Sequence, residues 1–179
     1  AIDSGGAIGA ALCAQKSNDK KFKRHVLSNV YLGLNYENKD INKAINNISE
    51  NSSIKIKRYS NKEDTYDDMV KLLISKKIIG LYQGRMEWGS RSLGNRSIIA
   101  DPRYPDMKDI INKKIKLREN FRPFAPTVLE EEVTNWFEYD KPSPYMMEVR
   151  KFKENKKKII PSVVHVDGTG RLQTINEQQ

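Results

Sequence analysis

The chain has 179 residues, enough for one sizeable core or for one domain with a piece of its neighbour. Hydrophobic residues make up 37% and charged residues 31%, which allows a globular fold but requires a densely ionic surface. The net charge of +9 favours anionic partners, and a single cysteine excludes both an internal disulfide and a thiolate zinc site.

Asp3-Ser4-Gly5-Gly6 is expected to turn into a small-residue helix over 7–15, where Ala and Gly permit close packing. Cys13 lies in the apolar run 7–14, so a buried, inert thiol is expected. Residues 16–23 are polar and lysine-rich, as in a solvated loop. Ile41, Ala44, Ile45 and Ile48 recur at helical spacing within 38–49. Residues 54–59 alternate apolar and basic, the pattern of a half-buried strand. Tyr66, Met69, Val70 and Leu73 mark one face of a helix over 64–77. A short apolar run, 78–83, predicts a buried strand; 84–95 is a glycine-rich loop and 97–100 a strand. Residues 105–116 suit a helix, with Pro105 in its first turn, Asp106 and Asp109 near its positive end and lysines at the other. Two prolines stop it within 118–126. Beyond lie a strand at 127–129, a short helix at 130–138, and strands at 145–152 and 163–166. Asp167-Gly168-Thr169-Gly170 turns the last of these into a returning strand at 171–175. Lys156-Lys157-Lys158 is expected as a solvated hairpin tip, and His25 as an ordinary surface histidine. The order of elements predicts an α/β fold, a mixed twisted sheet with flanking helices.

Three segments concentrate chemistry. The first runs Gly84-Arg85-Met86-Glu87-Trp88-Gly89-Ser90-Arg91-Ser92-Leu93-Gly94-Asn95-Arg96-Ser97. Glycine lets backbone N–H groups approach an anion, guanidinium matches phosphate oxygens with paired donors, and serine hydroxyls complete the shell. No Walker A ending is present. A basic surface loop, with Glu87 neutralising one arginine, is the competing reading. The second segment holds Lys113, Lys114, Lys116, Arg118 and Arg122 beside Phe121, Pro123 and Phe124. A stiff Arg-Pro-Phe run holds guanidinium at low entropic cost, although Lys113 and Lys114 also suit a plain helix C-terminus. In the third, His165, Arg171 and Gln173 occupy alternate strand positions around Asp167 and Thr169, an arrangement suited to one sheet face.

Together these segments resemble the O-carbamoyltransferases that modify antibiotics and nodulation factors. The family run Gly-Arg-Met-Glu-Phe-Gly-Pro-Arg-Ala-Leu-Gly-Asn-Arg-Ser-Ile corresponds to residues 84–98, followed by Ala100-Asp101-Pro102-Arg103. Its Lys-Ile-Lys-x-Arg-Glu-x-Phe-Arg-Pro-Phe-Ala-Pro is intact over 114–126, and its Val-Asp-Gly-Thr-x-Arg-x-Gln-Thr matches 166–174. The opening run from Asp3 resembles the glycine-rich end of the family's N-terminal domain. Trp88, Ser90 and Ser92 replace phenylalanine, proline and alanine, which bears on loop rigidity while all three arginines persist. The large N-terminal domain and the terminal Asn-Thr-Ser-Phe-Asn run are absent, so a piece of a longer enzyme is expected.

The resemblance implies a YrdC-like domain over 36–179, truncated at its C-terminus, preceded over 1–35 by the tail and linker of a Kae1-like domain against which it packs. It implies ATP, Mg2+ and carbamoyl phosphate as ligands, and a hydroxyl-bearing small molecule as acceptor. Arg91, Arg96 and Arg122 would stabilise charge in carbamoyl-adenylate formation. Arg85, Ser97, Lys113, Lys116, Arg118, His165, Asp167, Thr169 and Arg171 would hold carbamoyl phosphate and ATP. Asp3 would join a metal site, with iron as the candidate, only when the missing domain supplies the other ligands. The rival reading is an RNA-binding module linked to tRNA modification. Against it, the basic residues gather in glycine- and proline-rich loops and do not form a stripe interleaved with aromatics, so no specific nucleic acid is expected. No run reaches the roughly 20 apolar residues of a membrane helix, and no basic segment precedes the apolar start, so a cytoplasmic location without membrane contact is expected.

Overall fold

A computed structural model of the chain describes residues 2–23, 27–49 and 54–177, with the side chains of Ile2, Asp3 and Ser49 outside that description. His25 therefore lies outside the described residues. The chain divides into two compact units, one of Ala1–Tyr59 with Tyr82–Arg96 and one of Ser60–Leu81 with Ser97–Gln179.

The first unit opens with α1, Ile2–Asn18, so the expected turn at Ser4-Gly5-Gly6 and the start of the expected loop are helix instead. A Cβ placed on Gly6 or Gly9 would meet nothing within 4 Å, so the anticipated close packing is not seen among the described residues. Cys13 is exposed, contrary to the buried thiol that its apolar neighbours suggested. Apolarity of a run does not say what covers it. The next helix, α2 at Asn38–Ser49, has the bounds its periodicity predicts. Asp40 in its first turn accepts a hydrogen bond from the Glu37 N–H at 3.1 Å, the local reason it begins there. Residues 54–59 are not a strand; alternation alone supplies no ladder, and Ile54 and Ile56 are exposed.

In the second unit α3 spans Lys62–Ile74, and the Asn61 side chain caps it by accepting from the Asp64 N–H at 2.8 Å. Strands β1 (Ile79–Tyr82) and β2 (Arg96–Ile99), which lie in this unit except for Tyr82 and Arg96, pair as a two-stranded sheet. The helix expected over 105–116 is two pieces. Met107–Ile111 is α-helical (α4) and Asn112–Lys116 widens into a π-helical turn that ends at Leu117, in the left-handed region at φ 47°. Asp106 makes no side-chain capping bond; its carboxylate accepts from Lys76 Nζ at 2.7 Å.

The second sheet has order β3-β5-β4, from Thr127–Leu129, Thr169–Ile175 and Glu148–Lys151. β3 runs parallel to β5, with Thr127 opposite Gln173, and β4 runs antiparallel to it, with Glu148 opposite Leu172. This is a mixed sheet, as the α/β reading requires. Its core holds Val133, Phe137, Phe152, Ile160, Val163 and Leu172. Phe137 and Phe152 stack at 4.3 Å between ring centroids. Val133 and Phe137 come from a 3-10 turn, Glu130–Glu132, running into α5, Val133–Trp136, and its cap, in place of one helix to 138.

Two further expectations are corrected here. Residues 163–166 are not a strand: Val163 ends a 3-10 turn, Pro161–Val163, and the His165 N–H is spent locally on the Thr169 carbonyl at 2.8 Å. The last strand therefore pairs with β3 and β4 rather than folding back as a hairpin. The lysine run does not form a solvated hairpin tip. It closes a short helix, α6 (Glu154–Lys157), where Lys157 pairs with Glu154 and Lys156 lies 4.8 Å over the Trp136 ring.

Candidate functional site

The glycine–arginine loop of the first unit is organised around Glu87. This side chain is only 4% exposed. Its Oε1 accepts from the backbone N–H groups of Leu93 and Asn95 at 2.8 Å and of Arg96 at 3.1 Å. Its Oε2 accepts from Arg96 Nε at 2.7 Å, and Arg96 Nη2 donates to the Glu87 carbonyl at 2.7 Å. Burial alone would raise the pKa of this carboxyl. The guanidinium of Arg96 and the backbone N–H groups of Leu93, Glu87 and Asn95 outweigh burial and hold it down to about 2. Gly84, Gly89 and Gly94 all have positive φ, at 52°, 111° and 123°, so their recurrence meets a conformational demand of the loop before any ligand arrives.

The loop is also tied to residues 30–34. Met86 N–H donates to the Leu34 carbonyl at 3.0 Å, and Gly33 N–H to the Met86 carbonyl at 2.9 Å. A Cβ on Gly33 would come within 2.8 Å of Met86 Cβ, which explains glycine there. Arg85 donates from Nε to the Gly33 carbonyl at 3.0 Å and from Nη2 to the Leu32 carbonyl at 3.2 Å. Arg85 and Arg96 thus carry structural bonds that their place in the sequence did not reveal. Arg91 is half-buried in the same loop, while Ser97, on β2, belongs to the second unit.

In the second unit Lys113, Leu117, Arg118, Glu119 and Arg122 line one open pocket of about 630 Å³. Three of the cations expected from the sequence are therefore brought together; Lys116 is exposed and outside this lining. Arg118 is held on three sides. Its Nε donates to Asn112 Oδ1 at 2.7 Å, its Nη2 to the Pro123 carbonyl at 3.5 Å, and its guanidinium lies 4.8 Å over the Phe124 ring. Arg122 makes an exposed ion pair with Glu119 at 2.9 Å, a contact worth little in water and readily exchanged.

The third cluster is local. Asp167 Oδ1 accepts from Thr169 Oγ1 at 2.6 Å and from Thr169 N–H at 3.0 Å, and lies 3.1 Å from His165 Nδ1. The two Thr169 bonds hold the Asp167 carboxyl at about 2. His165 is not on a strand, so the expected row of His165, Arg171 and Gln173 on one sheet face is not formed. Arg171 is exposed on β5, whereas Gln173 is 3% exposed and accepts from Thr127 Oγ1 at 3.0 Å.

Sequence reasoning missed Asn112, which is fully buried, and gave Glu87 too small a part. A signal existed for Asn112: it directly follows the buried pair Met107 and Ile111, spaced one helical turn apart, where a polar side chain needs a reason. Asp3 falls in the first turn of α1. Among the described residues no three His, Cys, Asp or Glu side chains gather as metal ligands, and no helix is long and apolar enough to cross a membrane.

Residues 70–179 match the family model described as carbamoyltransferase C-terminus. The chain belongs to that family. All three clusters lie within the matched segment, and Asp3 lies before it. The chain is similar to the nodulation protein NolO of Bradyrhizobium diazoefficiens, with 37% identity over 181 residues, 99% of this chain and 32% of that protein. It is similar to the nodulation protein NolNO of Sinorhizobium fredii, with 39% identity over 180 residues, 98% of this chain and 26% of the relative. It also matches an uncharacterized protein of Synechocystis at 35% identity over 200 residues, covering 98% of this chain and 32% of that protein. The chain thus spans between a quarter and a third of the length of these curated relatives.

Proposed function

We propose that this chain is the carbamoyl-adenylate-forming part of an ATP-dependent O-carbamoyltransferase. The whole protein would move a carbamoyl group from carbamoyl phosphate to a hydroxyl of a small-molecule acceptor in the cytoplasm. The observation that carries the reading is the pocket of the second unit. It is lined by three cations, Lys113, Arg118 and Arg122, in a segment of this family.

In this reading water first cleaves carbamoyl phosphate to carbamate and inorganic phosphate; a carbamate oxygen then bonds to the α-phosphorus of ATP as the bond to pyrophosphate breaks, and pyrophosphate leaves with the electron pair. Negative charge grows on the α-phosphoryl oxygens and on the leaving group. Arg118, fixed beforehand, stabilises that charge with little reorganisation, and Arg122 joins it by exchanging Glu119 for the phosphoryl oxygens. Arg118 and Arg122 offer guanidinium forks and Lys113 a point charge. Arg91 and Arg96 would likewise stabilise charge, and Arg85, Ser97, Lys116, His165, Asp167, Thr169 and Arg171 would bind carbamoyl phosphate and ATP. ATP would arrive with Mg2+, which neutralises part of the polyphosphate charge. The acceptor hydroxyl then attacks the carbamoyl carbon, releasing AMP and a proton.

On the same reading, residues 36–179 are a YrdC-like domain and 1–35 the end of a Kae1-like domain. Asp3 would bind that domain's metal, for which iron is our candidate, together with ligands from outside this chain. The described residues do not complete such a site, and no step is routed through it.

The test is pyrophosphate exchange in the full-length protein. Labelled pyrophosphate should enter ATP when magnesium and carbamoyl phosphate are both present, and Arg122→Lys should cut the rate by about tenfold or more. Exchange that ignores carbamoyl phosphate, or wild-type exchange in Arg122→Lys, would overturn the proposal.

A further inference from the structure

Asn112 opens the π-helical turn and has no exposed surface. Its amide is used at both ends. Oδ1 accepts from Arg118 Nε at 2.7 Å, and Nδ2 donates to the carbonyls of Arg122 at 3.0 Å and Asn120 at 3.4 Å. Its backbone carbonyl accepts from Leu117 N–H, and from Arg118 N–H at 3.1 Å. One residue therefore ties down both ends of the loop 117–122.

The chemistry requires an amide at this position. A carboxylate would satisfy Arg118 but would face the carbonyls of Asn120 and Arg122 with no donor. An aliphatic side chain of equal size would strand the Arg118 Nε–H and both carbonyls. The two arginines are fixed in different ways. Arg118 is fixed through its side chain, so its terminal nitrogens keep one direction. Arg122 is fixed through its backbone, and its side chain remains exchangeable between Glu119 and another anion.

We infer that Asn112 is a positioning residue for anion binding. Through the Arg118 side chain and the Arg122 carbonyl it sets the spacing of two guanidinium groups that grip phosphoryl oxygens in the pocket. It does not touch the ligand. The inference rests on the phosphate reading of that pocket. Holding the Arg118 guanidinium and the Arg122 backbone in place before the ligand arrives removes part of the ordering cost of binding. If Asn112 merely closed a wide turn, its loss would lower stability and leave affinity for anions untouched.

The experiment uses the full-length protein with inorganic pyrophosphate and ATP as probes, well below the unfolding temperature. Asn112→Ser and Asn112→Leu are both neutral, so the charge of the pocket does not change; the pair covers the case in which one of them fails to fold. Each should weaken pyrophosphate and ATP binding by about tenfold. In either background Arg122→Lys should add little further loss, because the spacing it exploits has already gone. Wild-type affinity in a folded Asn112 variant would overturn the inference. So would losses that multiply independently with those of Arg122→Lys. Amide hydrogen exchange over 117–122 separates this from failure of the phosphate reading. If wild-type protein binds neither probe, the phosphate reading falls and the positioning role falls with it. Faster exchange in the variants would then show that the tie is real but serves the fold alone. Unchanged exchange in the variants would overturn the tie itself.

Discussion

At the scale of single residues, Glu87 is the clearest case of a side chain read too lightly. It was expected to neutralise an arginine at a surface, yet it collects three N–H donors and a guanidinium while almost fully buried. Glu87→Gln keeps the size but turns a donor toward Arg96 and leaves that cation without its charge partner. Because Arg96 keeps about a third of its side chain in water, the substitution should destabilise the protein by about 1–3 kcal/mol, measured by urea unfolding. The carboxyl is held at about 2 against its ordinary 4.5, so its contribution is complete above about pH 4.5 and is lost as the pH falls toward 2. Wild-type stability should fall through that window, and the Gln variant should show a shallower fall. Gly170 offers a test of packing. A Cβ there would lie 2.5 Å from Phe152 Cε2, within the aromatic stack of the core. Gly170→Ala should cost about 1–3 kcal/mol by thermal or urea unfolding, and a neutral result would mean that the Phe152 ring can shift freely.

At the scale of elements, the π-helical turn deserves a direct probe. Leu117 ends it at φ 47° and is 82% exposed, so the residue gains little from burial and bears the strain of a left-handed backbone. Leu117→Gly should relieve that strain and leave stability unchanged or raised by up to about 1 kcal/mol, as read by the unfolding midpoint. A clear loss of stability would show that the Leu117 side chain packs against something that matters. The contrast between elements explains what the sequence could tell. α2 was legible to the residue because apolar spacing and a first-turn aspartate agree. β1 and β2 were legible as short apolar runs beside a glycine-rich loop. Residues 54–59 were misread because alternation describes a surface, whereas a strand also needs a neighbour with unpaired backbone groups. The cationic residues of the pocket were visible as a motif. Their support, an asparagine several positions upstream acting through a widened turn, was not, because π-turns have no periodic signature in a short segment.

At the scale of the whole molecule, net charge makes a prediction of its own. A chain of +9 whose cations sit in small-anion sites should attract a polyanion without recognising it. Binding to tRNA should weaken by about tenfold or more between roughly 50 and 200 mM salt. Retention of tight binding at the higher salt would favour an RNA-binding function over the phosphate pocket. Measuring the full-length protein beside this chain would show how much of that attraction the remaining two thirds of the relatives' length supplies or screens.

The order β3-β5-β4 sets a timetable for synthesis on the ribosome. Thr127 waits for Gln173, 46 residues later, before its strand has any partner, and β4 waits for the same segment. At a translation rate of about 5–20 residues per second that delay is roughly 2–9 s. Val128 and Leu129 for nearly all of that time, and Val149 from its own synthesis onward, are carried on strands with open edges in the nascent chain. A messenger that stalls before the codon for Gly170 would release a product with no central strand, and its two orphaned edges would make it a substrate for chaperones and proteases. Slow codons just before 169–175 should therefore depress the yield of folded protein more than the same codons placed before α2.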